Sequence, residues 1–344
     1  MDKDYLDPFL HLKTLRWVEP YHGGMSIEDT GFCNRLLHWE IAYEINKLND
    51  FKYMILLEDW YWKELKYLKL PYTRPVRDPY YSNHKVLDLK FRTVYDHVNK
   101  NVYLAEPISE GKMKDMVENN NFILEGDNYY SDFGYNFIEA VKGEGRRGLS
   151  LMEFKHKDFE QLIKKAVNGY VGLHIRRGEG IEVTMEHITN LPKEVQHLFS
   201  PHEGDPTYKW VGDVQYFEVI DGILKYHPDT MFYLSTDMAY DQYEYLLKRY
   251  PANIKTRKEV FNEVYFTANY LEKVDDWQLT CFLNIIDLFA LGSCDYIVRA
   301  PASTWSEVAA IWKNTPYIDI DENPKKIIKK INKFLDAKRV RDLI

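Results

Sequence analysis

Apolar residues recur along this chain with two different periods. After Asp29-Thr-Gly-Phe-Cys-Asn-Arg35, residues Leu37, Ile41, Ile45 and Leu48 fall on one face of a helix, and Tyr53-Met-Ile-Leu-Leu57 reads as a strand. Further short strands are predicted over 14–19, 102–105 and 122–125, with irregular structure over 71–90, where prolines and polar residues dominate. The Gly/Arg-rich Lys142-Gly-Glu-Gly-Arg-Arg-Gly148 predicts an exposed connection between an N-terminal domain, 1–150, and a C-terminal domain, 151–344. Beyond it, helix and strand alternate. A helical pattern over 152–167, stopped by Asn168-Gly169, leads to a strand from Tyr170. A helix over 215–226, a strand over 231–237 and a helix over 240–250 follow. Next come a short strand over 254–257, a long helix over 279–291 and a strand over 296–298. A helix over 307–313, a strand over 316–320 and a last helix capped by Asn323-Pro324 complete the series. Such alternation predicts an α/β fold with a parallel, doubly wound sheet. Residues 190–210, with three prolines, one glycine and little periodicity, predict a long surface loop.

The last helix sets Ile327, Ile328, Ile331, Phe334 and Leu335 against a lysine-rich opposite face. That pattern fits a helix docked on the body with a solvated basic face, or a helix lying on a membrane surface. Trp60 and Trp62 fit either packing in the N-terminal core or stacking on a sugar.

Candidate chemistry gathers where the strand from Tyr170 ends, in Tyr170-Val-Gly-Leu-His-Ile-Arg-Arg-Gly-Glu-Gly180. Tyr170, Val171, Leu173 and Ile175 make the strand, and Gly178 and Gly180 open a loop where backbone can come close to a ligand. Two adjacent guanidiniums, Arg176 and Arg177, at the end of a core strand are costly unless anions answer them. Carboxylates in a buried ion network would do so, and so would a phosphate, two of whose oxygens suit the planar arginine fork. In an open α/β sheet that end of the strands is where ligands bind. Ser303, Thr304 and Ser306 at a helix start offer hydroxyls and free N–H groups to a diphosphate, or simply cap the helix.

Composition narrows the classes. Hydrophobic residues at 45% and charged ones at 28% describe a globular chain, and 344 residues suffice for two domains. A net charge of -8 argues against sequence-independent nucleic-acid binding. Three cysteines, Cys33, Cys281 and Cys294, show no metal-ligand spacing and predict a reducing compartment without a disulfide framework. The start, Met1-Asp-Lys-Asp-Tyr-Leu, has neither a basic nor an apolar leader region, and no run approaches a membrane span. A soluble, cytoplasmic protein is expected.

The pattern His174-Ile-Arg-Arg-Gly-Glu179 resembles the phosphate-binding motif of the fucosyltransferase superfamily that includes the α1,2-, core α1,6-, protein O- and nodulation-factor enzymes. That motif usually reads His-x-Arg-Arg-x-Asp, and Glu179 stands here in place of Asp. Gly31-Phe-Cys-Asn34-Arg35 is similar to the superfamily's N-terminal motif, and Tyr233-Leu-Ser-Thr-Asp237 to its strand ending in Thr-Asp. Asp287-Leu-Phe-Ala-Leu with Asp295-Tyr-Ile-Val and Ser303-Thr-Trp-Ser306 is similar to its last motif, with Trp305 where Phe is usual. The resemblance implies a GT-B arrangement, two Rossmann-like domains facing a cleft. It implies an inverting glycosyltransferase that needs no metal and takes fucose from GDP-β-L-fucose to a glycan or peptide hydroxyl. Arg176 and Arg177 would then stabilise the departing GDP. His174, Gly178, Asp237, Asp287, Ser303, Thr304 and Ser306 would hold the donor, and Asn34 with Arg35 would face the cleft. The base that takes the acceptor's proton is sought among Glu179, Glu182 and Glu186; Glu182 is the choice, with Glu179 bracing the arginines. A GDP-sugar-binding pseudoenzyme, or a transferase using another nucleotide sugar, is the alternative.

Overall fold

The computed structural model describes residues 13–16, 32–48, 53–58, 63–76, 86–87, 89–91, 94–96, 101–103, 122–124, 148–177, 181–204, 209–261 and 276–342. The chain divides into two compact units, Met1–Lys155 and His156–Ile344.

In the first unit β1 (Lys13–Arg16), α1 (Phe32–Leu48) and β2 (Tyr53–Glu58) are followed by β3 (Leu68–Lys69), β4 (Thr73–Val76) and β5 (Val86–Leu87). Four of these strands form a parallel sheet in the order β4-β2-β1-β5. Smaller pairs join β6 (Leu89–Phe91) to β9 (Phe122–Leu124) and β7 (Val94–Asp96) to β8 (Asn101–Tyr103). β10 (Glu153–Phe154) runs antiparallel to β3. Polar side chains of α1 tie distant backbone together. The buried Glu40 carboxylate accepts the N–H groups of Gly148 at 3.1 Å and Leu149 at 2.6 Å, and Trp39 Nε1 donates to Thr73 Oγ1 at 2.7 Å. The connection expected over 142–148 lies outside the described residues except for Gly148, which is buried and opens the 3-10 turn Gly148–Leu151. Trp60 and Trp62 also lie outside them.

The second unit begins with α2 (Lys157–Ala166) and β11 (Val171–Ile175), then two short helices, α3 (Met185–Thr189) and α4 (Lys193–Gln196). α5 (Asp213–Leu224), β12 (Phe232–Thr236), α6 (Tyr240–Arg249), β13 (Ile254–Lys255) and α7 (Arg257–Val260) follow. α8 (Asp276–Ser293), β14 (Tyr296–Arg299), α9 (Thr304–Lys313), β15 (Tyr317–Asp319) and α10 (Pro324–Asp342) close the chain. Its five strands pair in parallel in the order β13-β12-β11-β14-β15. The α/β alternation of the sequence is therefore the observed architecture.

Strand parity sorts the core into two layers. Val171, Leu173 and Ile175 of β11 join the cluster built with Val219, Ile220 and Ile223 of α5 and Ile327 and Ile331 of α10. The even positions of β11 point the other way. A Cβ on Gly172 would lie 2.7 Å from Leu291 Cδ1 of α8, so a larger residue there would have to push that side chain aside. α8 in turn packs closely on α9, where a Cβ on Gly292 would meet the Ala309 carbonyl at 2.6 Å.

The loop expected over 190–210 is interrupted by the one-turn α4; the described residues 197–204 and 209–210 form no helix and pair only through the His202 bridge to Val183. Ile188, Leu191 and Val195 are buried at helical spacing, and Pro192 stands at the N-cap of α4. Proline there opens a helix. The last helix docks through Ile327 and Ile331, both fully buried. No helix among the described residues is long and apolar enough to cross a membrane.

Candidate functional site

The connections from β11 lead to β12 and β13 on one side, and the chain then returns to β14 on β11's other edge. That reversal makes a topological switch point, where diverging crossovers leave a crevice beyond the strands' carboxyl ends. The described residues at this end of the sheet are Arg176 and Arg177 after β11, the first turn of α5 and the loop from β14 into α9.

His174 occupies the last even position of β11 and faces α9. It is buried, its Nδ1 lies 3.1 Å from Ser306 Oγ, and its backbone carbonyl accepts the Tyr216 hydroxyl at 3.1 Å. Burial pushes the imidazole down to about 3, with Arg176 and Arg299 adding to the shift, so His174 is neutral at physiological pH.

The two arginines part company by the same parity. Arg176 is half-buried and close enough to His174 to depress its basicity. Arg177 turns to the α5 layer, where its Nη2 donates to Asp213 Oδ1 at 2.8 Å with both side chains almost wholly buried. The Tyr245 hydroxyl donates to Asp213's other oxygen, and the Arg177 guanidinium lies 4.1 Å from the centre of the Trp210 ring. Its backbone N–H donates to Asp237 Oδ1 at 2.8 Å. Arg177 thus sits in the buried ion network that the sequence left open, with Nη2 on Asp213 and Nε buried without a hydrogen-bond partner. Asp213, the first residue of α5, braces Arg177; Glu179, expected to brace the arginines, and Gly178 lie outside the described residues.

Beyond β14 the chain makes a strained turn. Ala302 adopts a φ of 54°, a region that residues with a Cβ seldom enter. Ser303 follows at the N-cap of α9, yet its side chain makes no capping bond. It is 2% exposed, and its hydroxyl has no hydrogen-bond partner. A buried hydroxyl left unpaired costs stability, and it lies at a helix end whose N–H groups favour an anion. Thr304 begins the helix, half-buried, and Ser306 donates back to the Ser303 carbonyl at 3.4 Å.

A second polar chain lies on the α8 side of β12. Tyr233 donates to Asp287 Oδ1 at 2.6 Å, Ser235 donates to Asp287 Oδ2, and Trp305 Nε1 donates to Ser235 Oγ at 3.1 Å. Burial holds the Asp287 carboxyl above its usual range, while the bonds from Ser235 and Tyr233 pull the other way. Tyr233, Ser235 and Asp287 stand in the sequence motifs, and the structure joins them to Trp305. Asp213, Trp210 and Tyr245 are missing from any motif. The available signal was an acidic residue in the first turn of a helix following a tryptophan, too common to single out.

Glu182 is exposed between two buried residues, Ile181 and Val183. Val183 and His202 exchange both backbone hydrogen bonds at 3.0 Å. A Cβ on Gly204 would fall 2.1 Å from Glu182 N and 2.3 Å from the Ile181 carbonyl carbon. Glu182 is therefore carried on backbone held by the 202–204 segment. Glu186 lies exposed on α3, capped by Thr184, whose hydroxyl accepts the His187 N–H at 3.2 Å.

In the first unit, Arg35 forms a buried two-bond pair with Glu64, at 2.6 and 3.2 Å. Asn34 belongs to α1, and its side chain lies outside the described atoms, as does the loop before it. Among the described residues no group of three or more His, Cys, Asp or Glu side chains could hold a metal ion, and the three cysteines are buried and in no disulfide.

No family model matches the sequence, and no curated protein does. Among solved structures, the chain is similar to POFUT1 in complex with GDP, at 12% identity and a TM-score of 0.40, over 90% of this chain and 98% of that one. It is similar also to NodZ alpha-1,6-fucosyltransferase soaked with GDP-fucose, at 11% identity and a TM-score of 0.44, over 90% of this chain and 96% of that one.

Proposed function

We propose that this protein is an inverting glycosyltransferase of the GT-B arrangement, moving fucose from GDP-β-L-fucose to an acceptor hydroxyl without a metal. The observation that carries the reading is the unpartnered, buried Ser303 hydroxyl at the head of α9, set at the sheet's switch point with Arg176. Family-like motifs in His174-Ile-Arg-Arg and Ser303-Thr-Trp-Ser306 supply the nucleotide class. The diphosphate takes the Ser303 hydroxyl, the free N–H groups of the first turn of α9 and the Arg176 fork. The guanine lies near Asp287 and the uncharged His174.

In the reaction the acceptor oxygen bonds to the anomeric carbon as the bond from that carbon to the β-phosphate oxygen breaks. The acceptor's proton passes to Glu182, and the electron pair leaves with GDP. Charge grows on the departing phosphate, where Arg176 stabilises it more in the transition state than in the ground state. Arg177 acts indirectly: held by Asp213 and Trp210, it fixes the backbone from which Arg176 projects.

Thermal shifts with GDP, UDP and CMP, each with and without EDTA, test the nucleotide class. Stabilisation by GDP alone, unchanged by EDTA, is expected; preference for UDP or a need for a divalent ion overturns the reading. Turnover of GDP-fucose then separates a transferase from a module that only binds: GDP binding without turnover in the presence of varied sugar acceptors refutes catalysis.

A further inference from the structure

α10 carries eight Lys or Arg against two Asp in 19 residues, a net +6 in a chain of net -8, so the remaining 325 residues carry -14. The charge is also sorted by face. Ile327 and Ile331 are buried against the core, Phe334 and Leu335 pack beside them, and a Cβ on Gly222 of α5 would meet Ile328 Cδ1 at 2.3 Å. The opposite side is exposed at Lys325, Lys326, Lys329, Lys330 and Lys333. At helical spacing these make two parallel rows, Lys325-Lys329-Lys333 and Lys326-Lys330, each composed of like charges four residues apart. Every such pair repels and weakens the helix.

Little nearby acid offsets them. Lys326 pairs with Glu322, whose carboxyl that bond, and then the charge of Lys330, hold below the usual range. Asp336 stands 3.4 Å from His227 Nε2, Asp321 pairs loosely with Lys209 at 3.7 Å, and Lys338, outside the rows, is taken by Asp295. The apolar stripe is already used in the fold, so α10 has no greasy face left to insert into a bilayer. A flat cationic face remains, with Val340 57% exposed at its far end.

We propose that this face of α10 docks the protein on an anionic phospholipid surface. Charge complementarity selects the partner: lysines on a flexible stem act as point charges for dispersed headgroup phosphates, and the rows hold neither arginine forks nor aromatic rings of the kind that read nucleic acid. The -14 on the rest of the chain opposes wrapping by a polyanion, whereas a plane touches one helix face only. The inference stands apart from the transferase reading.

The test is co-sedimentation of the full chain with phosphatidylcholine vesicles, with and without about 30% phosphatidylserine. Lys325, Lys329, Lys330 and Lys333 would be replaced together by Gln; all four are exposed, so the fold should persist, which circular dichroism checks. A control carries Lys164→Gln and Lys165→Gln on α2. Binding to the anionic vesicles alone, weakened about ten-fold or more by the α10 substitutions and by raised salt but not by the α2 control, is expected. Absence of anionic-vesicle binding, an equal loss in the α2 control, or tighter binding to a DNA duplex than to the vesicles overturns it.

Discussion

Arg176 and Arg177 are adjacent, yet strand parity gives one to the crevice and the other to the core, and their substitutions should fail differently. Arg177→Ala leaves Asp213 buried and unpaired, so urea denaturation should show a loss of about 3–5 kcal/mol. Arg176→Ala should change stability by less than about 1 kcal/mol while kcat falls about 100-fold or more, with Arg176→Lys recovering little because a point charge lacks the fork. Equal destabilisation by the two alanine variants would contradict this division. His174 offers a separate check through pH. Its ordinary pKa is 6.5 and its folded value about 3, so the unfolded chain binds the extra proton across that window. Stability is fully present above about pH 6.5 and is lost progressively as pH falls toward 3, by about 2 kcal/mol between pH 7 and pH 5 from this group. A His174→Gln variant should lose that part of the slope; an unchanged slope would mean that the imidazole protonates freely in the folded state. What sequence could show at this scale was residue type and the open choice between ion pair and phosphate. It could not assign the choice, because Asp213 lies 36 residues from Arg177 and only the fold joins them.

At the scale of elements, the apolar run within 231–237 and the period-3.6 pattern over 279–291 lie on β12 and α8 with ends shifted by one to three residues. Within residues 190–210 the one-turn α4 escaped the same reading because a single turn shows no period, and Pro192 resembles a breaker when it is a starter. The consequence reaches the site. The chain that returns through His202 to Gly204 lies directly on Ile181 and Glu182, and that contact has no local sequence signature. Gly204→Ala would place a methyl carbon within covalent-like distance of the Glu182 nitrogen, so the clamp must open. If Glu182 is the base, kcat should fall about 10-fold or more through misplacement alone while the affinity for GDP, measured by titration calorimetry, stays near wild type. Combined with Glu182→Gln it should then cause little further loss, since both changes act on one step. Full activity in Glu182→Gln would remove Glu182 from the chemistry. A normal Gly204→Ala alongside an inactive Glu182→Gln would show instead that the clamp does not matter.

Across the whole molecule, the residues assigned to the donor all belong to His156–Ile344, whereas Arg35 is spent on Glu64 within Met1–Lys155. The sequence indicated an α/β second half through its alternation, and the family-like motifs implied a nucleotide there, but similarity of type cannot say which arginine is held in the core. A buried two-bond pair such as Arg35–Glu64 is costly to break, so it should remain intact when the donor binds. Amide hydrogen exchange with and without GDP tests this division of labour. Diphosphate bound at the head of α9 should slow exchange of the N–H groups of Ser303, Thr304, Trp305 and Ser306, which lack helical acceptors or sit beside those that do. The segment around Arg176 should be protected with them, because Arg177 N–H already holds Asp237 and the bound phosphate adds a second constraint through Arg176. Exchange in β1, β2 and α1 should move little. Protection of α1 as strong as that of α9 would assign donor contacts to the first unit and require Arg35 to exchange Glu64 for phosphate. Protection of neither would place the nucleotide away from the switch point, and the role given to Ser303 would fall with it.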